Sequence, residues 1–138
     1  MRRIFILTSV VAIAVGASAY WYRSGSRVHV PSAPAVSIGV FLVPQQESVA
    51  TITNAAGLAA VMSMLRSGRP AEPHACAARG TMEARFADGR TISVAFAPGH
   101  ELSHYEFGID GHSFTIARSQ FLDALAAGGV DVQKIPTE

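Results

Sequence analysis

The chain has 138 residues, of which 15% are charged, and a formal net charge of +1. This length allows one domain beyond a short targeting segment. The charge is unevenly spread, because the first 27 residues contain four arginines and no acid, whereas the remainder contains seven basic and ten acidic residues. A mildly acidic remainder without Lys/Arg clusters argues against nucleic-acid binding, which requires cations that neutralise phosphates.

The N-terminus has the pattern of an export signal. Arg2 and Arg3 precede an uncharged, largely apolar run that ends at Arg23. Residues 4–22 are long enough to cross a bilayer core of about 30 Å, and residues 20–22 (Tyr-Trp-Tyr) are typical of an aromatic belt at the membrane surface. We therefore predict an uncleaved signal anchor over residues 1–22.

The same segment also allows cleavage. Ala17-Ser18-Ala19 has the small-x-small form of a signal-peptidase site, and cleavage after Ala19 would release a soluble periplasmic protein. With the anchor retained, the basic N-terminus stays inside. The chain is then a single-pass protein of a bacterial inner membrane whose domain lies in the periplasm.

Residues 23–35 are predicted to form a linker, and residues 36–138 the domain. The linker contains Ser, Gly and two prolines, which disfavour regular structure. The single cysteine, Cys76, cannot form a disulfide within the chain. We interpret it as a partly buried thiol, with an intermolecular disulfide or a reactive thiol as alternatives. His74 precedes it by two residues, which is a weak metal signal without further ligands.

The domain is predicted to begin with a strand and a helix. Residues 36–43 are apolar at both odd and even positions, which is typical of a strand buried on both faces, and Pro44 ends it. Residues 49–53 are β-prone. Asn54 is a good helix N-cap, and Gly68 is a helix stop. The residues between them repeat at helical spacing: Leu58, Val61, Met62 and Leu65.

Two β-hairpins are predicted over residues 80–116. In residues 81–86 and 91–96 the larger apolar residues are all even-numbered, so the turn between the two strands must keep that parity. A three-residue turn, Ala87-Asp88-Gly89 with Gly89 left-handed, does so and pairs Ala84 with Ile92 and Met82 with Val94.

The second hairpin has the opposite parity. Its apolar residues are odd before the turn and even after it, which requires a two-residue turn at Asp110-Gly111. This turn pairs Phe107 with Phe114 and Tyr105 with Ile116.

A second helix is predicted after the hairpins. Ser119 is its expected N-cap, Phe121, Leu122 and Leu125 are its apolar residues, and Gly128-Gly129 ends it. Residues 130–135 form either a short edge strand or a docked tail. The predicted fold class is α+β, with an antiparallel sheet of two hairpins plus one or two further strands, and two helices covering one face.

One catalytic motif occurs. His100, Glu101 and His104 form H-E-x-x-H, the zincin pattern. On a helix the two histidines would share a face and bind Zn²⁺, and Glu101 would act as general base. His112 or Glu106 is the candidate third ligand. However, Pro98-Gly99 precede the motif and strand alternation follows it, so we expect a hairpin loop here.

The preferred hypothesis is a binding module rather than an enzyme, without a cofactor. It would act as an accessory, assembly or inhibitory subunit that binds another envelope or membrane protein through the open face or an edge of the sheet. The alternative is a small zinc-dependent hydrolase that uses residues 100–104.

Overall fold

A computed structural model describes residues 29–72 and 77–138. The strands are β1 (Ala35–Leu42), β2 (Glu47–Ile52), β3 (Arg69–Pro70), β4 (Gly80–Phe86), β5 (Thr91–Pro98), β6 (His104–Ile109) and β7 (His112–Ala117). The helices are α1 (Ala55–Ser67), α2 (Arg118–Ala127) and a short 3₁₀ turn (Val132–Lys134).

Within these residues the strands form one antiparallel sheet in the order β2-β1-β4-β5-β6-β7-β3. The α+β class is therefore confirmed. The sheet is larger than predicted, because β1, β2 and the two-residue β3 all join the two hairpins. β3 was missed because its sequence, Arg69-Pro70, carries no strand pattern and pairs only at the edge with β7.

The first hairpin has the predicted turn and register. Gly89 has a φ of 85°, and Met82 and Ala84 pair with Val94 and Ile92. Arg90 donates from its side chain and its backbone to the carboxylate of Asp88. These hydrogen bonds, the side-chain one first, lower the pKa of Asp88 below its ordinary value.

The second hairpin is also confirmed. Phe107 pairs with Phe114, and Tyr105 pairs with Ile116. Asp110 and Gly111 have φ values of 49° and 79°, as a type I′ turn requires at both central positions. The two turns differ by one residue, and that difference places the apolar residues of all four strands on one face.

The prediction that the first strand is buried on both faces is wrong. Val36 is 50% exposed, whereas Ile38 and Val40 are fully buried on the face that the helices cover. The apolar side chain on the opposite face, Phe41, lies over its own neighbour Gly39, where a Cβ would come within 2.8 Å of the ring. A short apolar run in a sequence does not show whether a strand is buried on one face or on both, because an apolar side chain can also pack along its own strand.

α1 begins and ends as predicted. The Asn54 side chain accepts a hydrogen bond from the Gly57 amide at 2.7 Å, and Gly68 is the C-cap. Val61, Met62 and Leu65 are buried against the sheet, together with Met64.

The start of α2 differs from the prediction. Ala117 is the N-cap, and no side chain caps the helix, so Ser119 does not have the predicted role. The Arg118 amide instead donates to the Ser103 carbonyl at 2.8 Å, so a neighbouring loop satisfies the helix start. At the other end, the amides of Gly129 and Val130 bond to the carbonyls of Ala126 and Leu125, which is a Schellman motif.

The C-terminal residues form a docked tail, which was one of the two alternatives predicted. Val130 is 5% exposed and Ile135 is 2% exposed, and the 3₁₀ turn lies between them. The hydroxyl of Tyr105 donates to the carbonyl of Pro136 and holds the tail against the sheet.

The predicted anchor at residues 1–22 lies outside the described residues, and so do residues 23–28 of the predicted linker. The last part of that linker, from Val30 onward, packs against the domain: Pro31 is buried, and Val30 and Ala33 contact the core. Among the described residues, neither helix is long and apolar enough to cross a membrane.

α1 touches the C-terminal end of α2 at two glycines, Gly57 in α1 and Gly128 at the C-cap of α2. A Cβ on Gly57 would collide with the Gly128 backbone and would lie 2.8 Å from Cγ2 of Ile52. The Asn54 side chain also donates to the Gly128 carbonyl at 3.2 Å. The absence of a side chain at Gly57 is therefore required by the close approach of α1 and α2.

We predict that Gly57→Ala destabilises the protein. Overpacking costs about 1–3 kcal/mol, which outweighs a helix-propensity gain of at most about 1 kcal/mol. Urea unfolding measures the change, and the exposed substitution Ala56→Ser is the control. An unchanged or increased free energy of unfolding in Gly57→Ala would contradict this packing.

Candidate functional site

The H-E-x-x-H segment is not helical. His100 and Glu101 lie in a bend, Leu102 and Ser103 lie in a turn, and His104 is the first residue of β6. The His104 amide donates to the Glu101 carbonyl at 3.1 Å, and the Gly99 amide donates to the His104 carbonyl at 2.9 Å. These bonds are those of a hairpin loop, so the spacing that aligns two histidines on a helix does not do so here.

His112, one of the two candidate third ligands, lies at the other end of the same hairpin. His104 pairs with Ala117, whereas His112 pairs with Ile109. Five residue steps of a strand correspond to roughly 17 Å, whereas two ligands of one zinc ion each lie about 2 Å from it. Among residues 29–72 and 77–138, no group of three or more His, Cys, Asp or Glu residues could hold a metal ion.

The loop of residues 100–103 is hydrogen-bonded to the first residue of α2. The Arg118 amide bonds to the Ser103 carbonyl, and its guanidinium lies 3.4 Å from the Leu102 carbonyl. The Leu102 side chain is 64% exposed at the tip. The segment that carries the motif is thus a well-supported turn that presents an apolar side chain to solvent.

Tyr105 follows the motif and belongs to the core. Its side chain is fully buried against the rings of Phe96 and Phe121, and its hydroxyl bonds to Pro136. Burial raises the pKa of Tyr105 above its ordinary value of 10.0, and the charge of Arg118 opposes this in part. The hydroxyl therefore holds the tail in its protonated form.

One face of the sheet has no helix on it within the described residues. We call it the open face, and it includes these strand residues that alternate with the core: Phe41, Thr81, Glu83, Arg85, Ala95, Glu106, Gly108, Ser113 and Thr115. Acidic Glu83 and Glu106 are on this face, and so is basic Arg85. The face therefore carries charges of both signs.

The centre of the open face is a shallow depression of about 190 Å³. Its floor contains Ala95, Gly108 and Ser113, which pair directly across β5, β6 and β7. Ala71 and Glu72, which follow β3, lie on its rim together with Ala78, which precedes β4.

Gly108 is in the middle of β6, and the described part of the fold does not require a glycine there. Its φ is not in the left-handed region, and the nearest described atom to a Cβ would be the His112 carbonyl oxygen at 4.0 Å. Glycine in a strand costs roughly 0.5–1 kcal/mol relative to alanine. A strand glycine without a turn or bulge is typical of a place where another chain or ligand approaches closely.

Both edges of the sheet are blunted. β2 contains a bulge, because Ala50 pairs with Val40 and Ser48 with Phe41, which leaves Val49 without a partner in β1. At the other edge β3 is two residues long and ends in Pro70, which has no amide to donate. Bulges, short strands and prolines disfavour pairing with a further strand. The edges are therefore poorly suited to strand addition.

The structure thus places the motif residues in a turn and at the start of a strand rather than on a helix. His100, Glu101 and His104 are consecutive parts of a turn and a strand, and His112 is distant from them. His74 and Cys76 lie outside the described residues. Sequence reasoning missed Gly108, although a glycine interrupting the alternation of β6 was a usable signal. It also missed Arg118, whose role depends on a contact between distant segments.

No protein-family model matches the chain, and neither a curated protein nor a solved structure matches it.

We predict that the wild type loses stability at alkaline pH because of Tyr105, and that Tyr105→Phe lacks this loss. The unfolded chain releases the tyrosine proton from about pH 10 upward, whereas the folded state retains it. The stability that this hydroxyl contributes is thus fully present below that pH, and it is lost as the pH rises toward the folded-state pKa. Urea unfolding at neutral pH and above about pH 10 measures this.

At neutral pH the same substitution should cost about 1 kcal/mol through the lost hydrogen bond. The wild type should then lose more stability than the variant at alkaline pH. Equal losses in both proteins would contradict the assigned environment of the hydroxyl.

We predict that the chain does not bind zinc stoichiometrically, because the H-E-x-x-H segment is a turn and a strand start rather than a helix, and because His112 lies at the far end of the hairpin. Metal analysis of the purified full chain in detergent, with and without added zinc, measures this. The double substitution His100→Ala and His104→Ala is the matched control. One zinc per chain that is lost in the double variant would restore the hydrolase hypothesis.

Proposed function

We propose that this protein is a membrane-tethered binding module whose open face contacts another protein of a bacterial envelope. It acts there as an accessory, assembly or inhibitory subunit, with the domain in the periplasm. The N-terminal sequence pattern supports the tether, with release of a soluble periplasmic form after Ala19 as the alternative. The observation that carries the binding role is Gly108, which weakens the centre of a strand without a packing reason among the described residues.

The shape of the open face fits a protein partner. Small side chains at Ala95, Gly108 and Ser113 make a low floor on which a partner's backbone or side chain can lie close to the sheet. The charged residues that line it, Glu72 and Glu106, are both acidic, so the surface is not a phosphate-binding one. Polar residues around a floor of small, uncharged side chains fit a protein interface, whose rim is polar.

The fold explains how such a face stays available. The apolar side chains of the four hairpin strands lie under α1 and α2, so the sheet has a complete core on one side. Blunted edges limit pairing with further strands. Binding through the open face then leaves the core undisturbed.

Substitution of Gly108 tests the proposal. The full chain is purified from membranes in mild detergent, as the wild type, as Gly108→Ala and as Gly108→Arg. We expect Gly108→Arg to lower the amount of co-purifying partner at least tenfold, because the arginine side chain fills the depression. We expect Gly108→Ala to raise the free energy of unfolding by about 0.4–1 kcal/mol. Ala126→Arg, exposed on α2, is the control that keeps the partner.

Two results would contradict the proposal. A partner retained in full by Gly108→Arg would exclude the open face as the contact surface. A clear loss of stability in Gly108→Ala would show that the protein's own chain makes the close approach, so the glycine would have a packing role after all.

A further inference from the structure

Part of the connection between the predicted anchor and the domain is docked on the domain. Pro31 is buried, and Val30 and Ala33 pack against the core. The Pro34 carbonyl accepts a hydrogen bond from the Ala87 amide at 2.9 Å, and the Pro31 carbonyl accepts one from the Arg66 guanidinium at 3.4 Å. Release of this segment would expose apolar surface, which the hydrophobic effect opposes.

Docking shortens the reach of the domain. Between an anchor that ends at residue 22 and the first docked residue, Val30, only seven residues are left. A chain spans at most about 3.3–3.6 Å per residue, so these residues reach at most about 25 Å. The thirteen residues of an undocked linker would reach about 45 Å.

We infer that residues 30–34 form a clamp that confines the domain, and its open face, to the layer next to the bilayer. The partner is then another protein of the same membrane. This inference rests on the proposed function, because it requires the membrane tether. The partner's binding site then lies close to the bilayer, and residues 30–34 of this chain set that distance.

The clamp is tested by measuring the distance from the domain to the bilayer in nanodiscs. A donor dye is attached through Ala87→Cys in a Cys76→Ser background, and acceptor dyes are placed on lipid headgroups. Three full chains are compared: the parent, a clamp-release variant with Val30→Ser and Ala33→Asp, and a six-residue Gly/Ser insertion before His29. The insertion is the matched control, because it lengthens the tether by about as many residues as the release.

We expect energy transfer to fall by a similar amount in the release variant and in the insertion variant. Unchanged transfer in a folded release variant would overturn the clamp. As a second measurement that needs no release, spin labels at His29→Cys and Ala126→Cys should give one narrow distance. A broad distribution would also overturn it.

The membrane location and the partner class have separate readouts. If the mass of the purified chain shows cleavage after Ala19, the membrane tether that is part of the proposed function is wrong. With an intact tether, the co-purifying partner should stay in membranes washed with alkaline carbonate. A partner released by that wash would overturn the inference that it belongs to the membrane, and would leave binding through the open face standing.

Discussion

The two turns of the central hairpins are the constraint on which the rest of the structure depends. Gly89 allows a three-residue turn, and Asp110-Gly111 makes a two-residue turn. Because side chains alternate along a strand, one residue more or less in either turn would move a whole apolar set to the other face. With these lengths, all four strands present their apolar residues to α1 and α2, and the polar residues and small side chains to the open face.

Two glycines illustrate the difference between the helix-covered side and the open side of the sheet. On the covered side, Gly57 lies where α1 and α2 meet and where a Cβ would strike the Gly128 backbone. On the open side, Gly108 has space above it among the described atoms. The same residue type is thus required by packing in one place, whereas in the other its cost to strand stability has no compensation within the described fold. This contrast is why the proposed function rests on the open face.

Local physical chemistry made several features predictable from sequence. The caps at Asn54 and Gly129 and both hairpin turns depend on residues within a few positions, and all were confirmed. Features that depend on distant segments were not predictable. The N-cap at Ser119 failed because the Ser103 carbonyl satisfies the Arg118 amide from another loop. Likewise β3 exists only because its two residues reach β7. For the candidate site, the hairpin loop at residues 100–103 was predicted, whereas the role of Gly108 required the sheet order.

The central claim is that this protein works through its open face, and site-specific photocrosslinking in native membranes tests it most directly. A photoreactive residue is placed at Thr81 or Thr115 on the open face, and at Ala126 on the helical layer. We predict that the two sheet positions crosslink to one envelope protein and that the helical position does not. Crosslinks from Ala126 alone, or none from any position in cells that retain the folded protein, would contradict the claim.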